Sequence, residues 1–117
     1  SVSLVIGQEQ SLVSEYLKYG GTIDVVAMVN QKHTILDWKT SNAVYTEHLI
    51  QLAAYRRLWN ENFPDTPING GVHLLRFAKE HGDFTHHYFA DVTDAERAFV
   101  LMRELYNLDK SLKKRIA

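Results

Sequence analysis

Apolar and polar positions change their period twice along the chain. Thr22 to Val29 is rich in β-branched residues and reads as a strand. Asn30-Gln31-Lys32 follows as a hairpin turn, and His33–Lys39, with Thr34 and Ile35, reads as the next strand. Upstream, Ser1-Val2-Ser3-Leu4-Val5-Ile6 looks extended. Ser11 to Tyr19, with Leu12, Val13, Tyr16 and Leu17, is read as a further strand. Gly20-Gly21 then permits a tight turn or a close backbone approach. From Tyr45 to Asn60 the period becomes helical: Leu49, Leu52, Ala53 and Trp59 recur near that spacing with no Gly or Pro between them. Both prolines, Pro64 and Pro67, lie in a loop running from Phe63 to Gly71. Two strands are expected beyond it, Val72–Phe77 and Phe84–Phe89, joined by Lys79-Glu80-His81-Gly82-Asp83. Thr93-Asp94-Ala95-Glu96 has the form of a capping box, with the Thr93 hydroxyl accepting from the Glu96 amide. The helix it opens would bury Ala95, Ala98, Phe99, Met102, Leu105 and Tyr106. The order β-β-β-α-β-β-α is a mixed α/β domain with too few helices for a doubly wound sheet.

Composition narrows the functional classes. The 117 residues fit one domain, 1–117, large enough for a real core. A net charge of -1 excludes a strongly basic general nucleic-acid binder. It leaves open a nucleic-acid enzyme whose local positive charge comes from a metal. The absence of cysteine rules out disulfides, thiolate zinc sites and cysteine nucleophiles, and makes an intracellular, cytoplasmic protein the expectation. Apolar runs fall far short of the about 20 residues of a membrane span, so no membrane partner is expected. Residue 1 is Ser rather than Met, which suggests a chain that begins inside a longer protein.

The chemistry concentrates in three strand residues. Asp24 lies in Thr22-Ile23-Asp24-Val25-Val26, and Asp37 and Lys39 lie in Ile35-Leu36-Asp37-Trp38-Lys39-Thr40. Aspartate is depleted in strands and is seldom buried without a partner. Residues 37 and 39, two apart, project to one face. If the two strands are neighbours, Asp24 and Asp37 meet at one edge. Close carboxylates repel, a divalent cation relieves the repulsion, and hard oxygen donors suit Mg²⁺ or Mn²⁺ rather than Zn²⁺. A generic D-x-K is usually a surface ion pair; the second strand aspartate at hairpin distance argues otherwise here. Gln51 and Tyr55, four apart, share one helix face at the margin of the apolar stripe.

In this order and spacing, Gly21-Thr22-Ile23-Asp24, Asp37-Trp38-Lys39-Thr40 and Gln51-Leu52-Ala53-Ala54-Tyr55 resemble the PD-(D/E)XK nuclease superfamily. The nearest likeness is its RecB-like exonuclease branch, which includes phage exonucleases and the mitochondrial genome maintenance exonuclease. The resemblance implies a restriction endonuclease-like core, a central mixed sheet flanked by helices. It implies a metal-dependent DNA exonuclease of recombination, repair or phage DNA processing, with DNA as partner. Asp24 and Asp37 would be Mg²⁺ or Mn²⁺ ligands, joined by the Trp38 backbone carbonyl. Lys39 would orient water or stabilise phosphate charge, and Gln51 and Tyr55 would contact the DNA end or hold the lysine. The superfamily's helix ahead of the first strand is missing from the sequence pattern. That leaves a catalytically inactive nucleic-acid-binding or interaction module as the alternative, and an endonuclease of the same fold as a third. A larger parent chain or a homo-oligomer fits the same gap. Glu9 and Glu15 are the upstream acids, Glu15 facing solvent.

Other residues carry weaker signals. Thr40, Arg56 and Arg57 are candidate phosphate contacts, and the tail Lys110, Lys113, Lys114 and Arg115 complements the helix dipole. Trp38 is a candidate for base stacking and Trp59 for the core. His81, His86 and His87 with Asp83 invite a zinc reading, but His86 and His87 point to opposite faces of a strand. His33 and His48 have no spacing partner, and Arg76 faces either the groove or water.

Overall fold

The structure, a computed structural model, describes residues 2–80 and 82–117. The expectations for Ser1 and His81 therefore lie outside the described residues. The element order is β1 (Val2–Ser14), β2 (Tyr19–Val29), β3 (Lys32–Thr40), α1 (Thr46–Asn62), β4 (Val72–Phe77), β5 (Phe84–Phe89) and α2 (Thr93–Ile116). The strands form one mixed sheet in the order β1-β2-β3-β4-β5. β3 and β4 are parallel and the other neighbours antiparallel. A parallel pair needs a crossover, and α1 supplies it.

Two expectations are corrected. Ser11 to Tyr19 is not one strand: β1 ends at Ser14, the chain turns through Glu15–Lys18, and β2 begins at Tyr19. The Ser14 hydroxyl accepts the Leu17 amide, Lys18 takes a left-handed φ of 57°, and Leu17 is buried. Gly20 and Gly21 thus lie inside β2. Thr93 does not close a capping box on Glu96 either. Val92 stands at the N-cap, its carbonyl accepting the Glu96 amide, while the Asp91 carboxylate receives both the Thr93 amide and hydroxyl. At α1 it is His48 that takes the capping role, its Nδ1 accepting the Tyr45 amide at 3.1 Å. The turn expected at Asn30-Gln31-Lys32 is present but tighter: Asn30 and Gln31, with φ of 51° and 67°, form a two-residue hairpin and Lys32 already begins β3.

The core lies between one face of the sheet and the helices. Ile23, Val26, Ile35, Val72 and Leu74 meet Leu52, Ala53 and Trp59 of α1, with Val92 and Ala95 at the start of α2. Trp59 is buried as expected and donates its indole N–H to the Thr66 carbonyl. α1 packs on β1, β2 and β3, and α2 packs on α1, so both helices cover the same face. The other face exposes Trp38, Phe77, Phe84 and Tyr88. No described helix is long and apolar enough to cross a membrane.

Candidate active site at the fork of the sheet

The β2–β3 ladder runs from Val29 opposite Lys32 to Val25 opposite Leu36 and goes no further. Beyond it β2 stays with β1, and β3 stays with β4, where Asp37 pairs with Leu74 and Lys39 with Arg76. The sheet therefore forks at Asp24 and Asp37. Strand alternation also breaks there, because Ile23 and Val26, three apart, both enter the core. At the fork Trp38, still paired with Leu75 of β4, has no partner on β2, and the Asp24 side chain takes that place: Oδ2 accepts the Trp38 amide at 3.3 Å. A strand residue's N–H and C=O point to the same edge, so the Trp38 carbonyl faces this gap as well.

Asp37 is only 2% exposed. Lys39 Nζ lies 3.2 Å from its Oδ2, an ion pair whose angles fall short of a hydrogen bond, so Oδ2 is a buried oxygen without a hydrogen-bond donor. Burial raises the Asp37 carboxyl from 3.8 to about 7; a hydrogen bond to the Asp24 carboxyl acts in the same direction, and the Lys39 charge opposes both. Tyr55 closes the site from α1. Its hydroxyl is pushed up by burial first and then by the charges of Asp37 and Asp24. Gly21 makes this approach possible: a Cβ there would stand 2.8 Å from Tyr55 Cε1. The glycine pair thus serves close approach, while the turn sits elsewhere.

The fork brings together Asp24, Asp37, Trp38, Lys39 and Tyr55. Gln51 lies one turn before Tyr55 on α1 and is exposed. Thr40 follows Lys39 in β3 and so faces away from it, with the exposed side of the sheet. Arg56 and Arg57 are engaged elsewhere: Arg56 meets Glu96 at 3.0 Å, and Arg57 meets Glu61 at 3.3 Å and Glu96 at 3.5 Å. The Glu96 pairs tie α1 to α2, and the Glu61 pair lies along α1 itself, so both guanidinium groups have carboxylate partners away from the fork. Arg76 faces neither groove nor water. Although 7% exposed, it donates Nε to Thr85, Nη1 to the Ser41 carbonyl and Nη2 to Asp83, clamping the segment after Lys39 to the β4–β5 hairpin.

Glu9 gains a place that its spacing did not reveal. It lies between Gln8 and Gln10, the partners of Val25 and Ile23, and so stands opposite Asp24. Its backbone is left-handed, with φ 46°, and it lines a depression with Gln8, Asp24, Val25 and Trp38. Two carboxylates, one carrying a buried oxygen without a donor, beside a carbonyl edge are donors of the type a hard divalent cation takes.

Comparison with known proteins gives a fold likeness. The chain shares its fold with a proposed exonuclease of Eubacterium rectale. The TM-score is 0.57 at 13% sequence identity, over 92% of this chain and 44% of the other. The chain thus spans less than half of that protein's length. No protein-family model and no curated protein matches the sequence. The likeness, with the single mixed sheet and its two helices, bears out the mixed α/β fold expected from the sequence.

Proposed function

We propose that this chain is the core of a metal-dependent deoxyribonuclease, most like the RecB-like exonucleases, that hydrolyses phosphodiester bonds in DNA recombination, repair or phage DNA processing. The observation that carries the reading is the buried, donorless Oδ2 of Asp37 at a fork shared with Asp24 and Lys39. Lys39 offsets one of the two carboxylate charges at the fork, and the remaining negative charge is costly there unless a cation neutralises it. Asp24, Asp37 and the Trp38 carbonyl hold Mg²⁺ or Mn²⁺ in this account. When bound, the metal supplies neutralisation of phosphate charge and a lowered pKa for its water. Lys39 sets a fixed cation beside the scissile phosphate, Tyr55 excludes water from the inner side, and exposed Gln51 contacts the DNA end.

The test is digestion of linear single- and double-stranded DNA with Mg²⁺ or Mn²⁺, by this chain or by a longer natural chain that contains it. Cleavage should disappear in Asp37→Ala and Lys39→Ala; normal cleavage by either variant refutes the proposal. Circular DNA in parallel separates an exonuclease from an endonuclease. One observation favours a non-catalytic binding module: no group of three or more His, Asp or Glu side chains converges among the described residues. DNA binding without any Mg²⁺ or Mn²⁺ heat would support that second reading.

A further inference from the structure

α2 presents two opposite faces. One docks on the body: Ala95 enters the core, the Phe99 ring meets that of Tyr19 with centroids 4.6 Å apart, and Arg103 and Asn107 each donate to the Leu17 carbonyl at 3.1 Å. At about 100° per residue, Leu101, Leu105, Leu108 and Leu112 fall on the opposite side, and all four are more than half exposed. The expectation that Met102, Leu105 and Tyr106 join the core is thereby corrected, since each is at least half exposed. From Leu108 onward every residue of the helix is exposed. Starting at Ala98, the leucines advance by three, four, three and four residues, a seam of two heptads. In the same frame Asp94 and Arg115 stand at its two ends.

We propose that a second copy of this chain covers the seam, with the two α2 helices antiparallel about a two-fold axis. An exposed row of leucines is an association surface, and a two-fold axis lets one surface serve both copies. Antiparallel layers oppose Leu101 to Leu112, and Leu105 to Leu108, of the second copy. The same alignment sets Arg115 against Ala98 and one turn from Asp94. Charge selects this orientation: a parallel pair would put Arg115 against Arg115 and Asp94 against Asp94 in the seam. The helix dipoles favour the same choice. Because the seam lies opposite the docked face, each body sits behind its own helix and leaves the approach open. Two heptads make a short seam, so the dimer should dissociate on dilution through the micromolar range. The seam shares no residue with the fork, and its fate is independent of the nuclease reading.

The test is sedimentation velocity on the full chain over a concentration series. A reversible monomer–dimer equilibrium is expected, lost in Leu105→Glu and separately in Leu108→Glu. Val13→Glu, at an exposed apolar residue of β1, should dimerise like the wild type. Circular dichroism checks that each variant folds. The chain has no cysteine, so single thiols report the orientation. When Leu101→Cys and Leu112→Cys are mixed and oxidised, the heterodisulfide should dominate over both homodisulfides. Dominant homodisulfides overturn the antiparallel arrangement. A chain that stays monomeric up to about 0.5 mM, or a dimer that survives both leucine-to-glutamate variants, overturns the seam and leaves this face to a different partner.

Discussion

Replacing Asp37 by Asn should stabilise the metal-free protein, and only above the pH at which this carboxyl ionises in the unfolded chain. In the unfolded chain the carboxyl titrates near 3.8, and in the folded protein near about 7. Between those values the native state holds a proton that the unfolded chain has released. Stability therefore falls as pH rises through this window, and is unaffected by Asp37 below it. A shift of this size corresponds to ~4 kcal/mol. The Lys39 ion pair, lost in the variant, reduces the net gain to about 1–3 kcal/mol at pH 8. Urea unfolding of wild type and Asp37→Asn, in chelator at pH 4, 6 and 8, measures it. The difference should be near zero at pH 4 and grow with pH, and Mn²⁺ should then restore the wild type alone. A difference independent of pH, or a wild type more stable than the variant at pH 8, would refute the burial argument.

Other consequences follow from single contacts. Gly21→Ala drives a methyl into Tyr55 and should destabilise by about 1–3 kcal/mol, read by denaturant melts, with loss of any cleavage activity. Arg76→Met takes the donor from the Ser41 carbonyl and releases Asp83, and should cost about 1–3 kcal/mol, with faster proteolysis of the segment after Thr40. Arg57→Gln should lower stability by up to about 1 kcal/mol through the lost Glu96 and Glu61 pairs, yet leave the salt dependence of DNA binding unchanged. A flatter salt slope in that variant would return Arg57 to the DNA interface.

Much of the fold was legible because local signals agreed. β4 and β5 occur where alternation and turn residues put them, and the Asn30-Gln31 hairpin fixes the β2–β3 register that joins Asp24 to Asp37. The turn between the first two strands, Glu15-Tyr16-Leu17-Lys18, is hidden in the sequence because it contains no Gly or Pro and carries Tyr16 and Leu17 at its centre. Leu17 is held there by distant partners, its carbonyl receiving Arg103 and Asn107 from α2. The fork itself left a sequence trace, a carboxylate in each of two neighbouring strands. Glu9 opposite Asp24 and the Arg76 clamp left none. Each arises from cross-strand register, which no spacing along the chain encodes. Arg56 shows the converse: it sits beside a motif in the chain, while its carboxylate partner, Glu96, lies forty residues away.

The proposed function stands on a divalent cation held at the fork of the sheet by Asp24 and Asp37. Calorimetric titration of Mn²⁺ into the wild type, Asp24→Asn, Asp37→Asn and Lys39→Ala measures that binding. A saturable site is expected that either aspartate substitution abolishes and Lys39→Ala retains. Binding that persists in both aspartate variants, or no binding in the wild type, would contradict it.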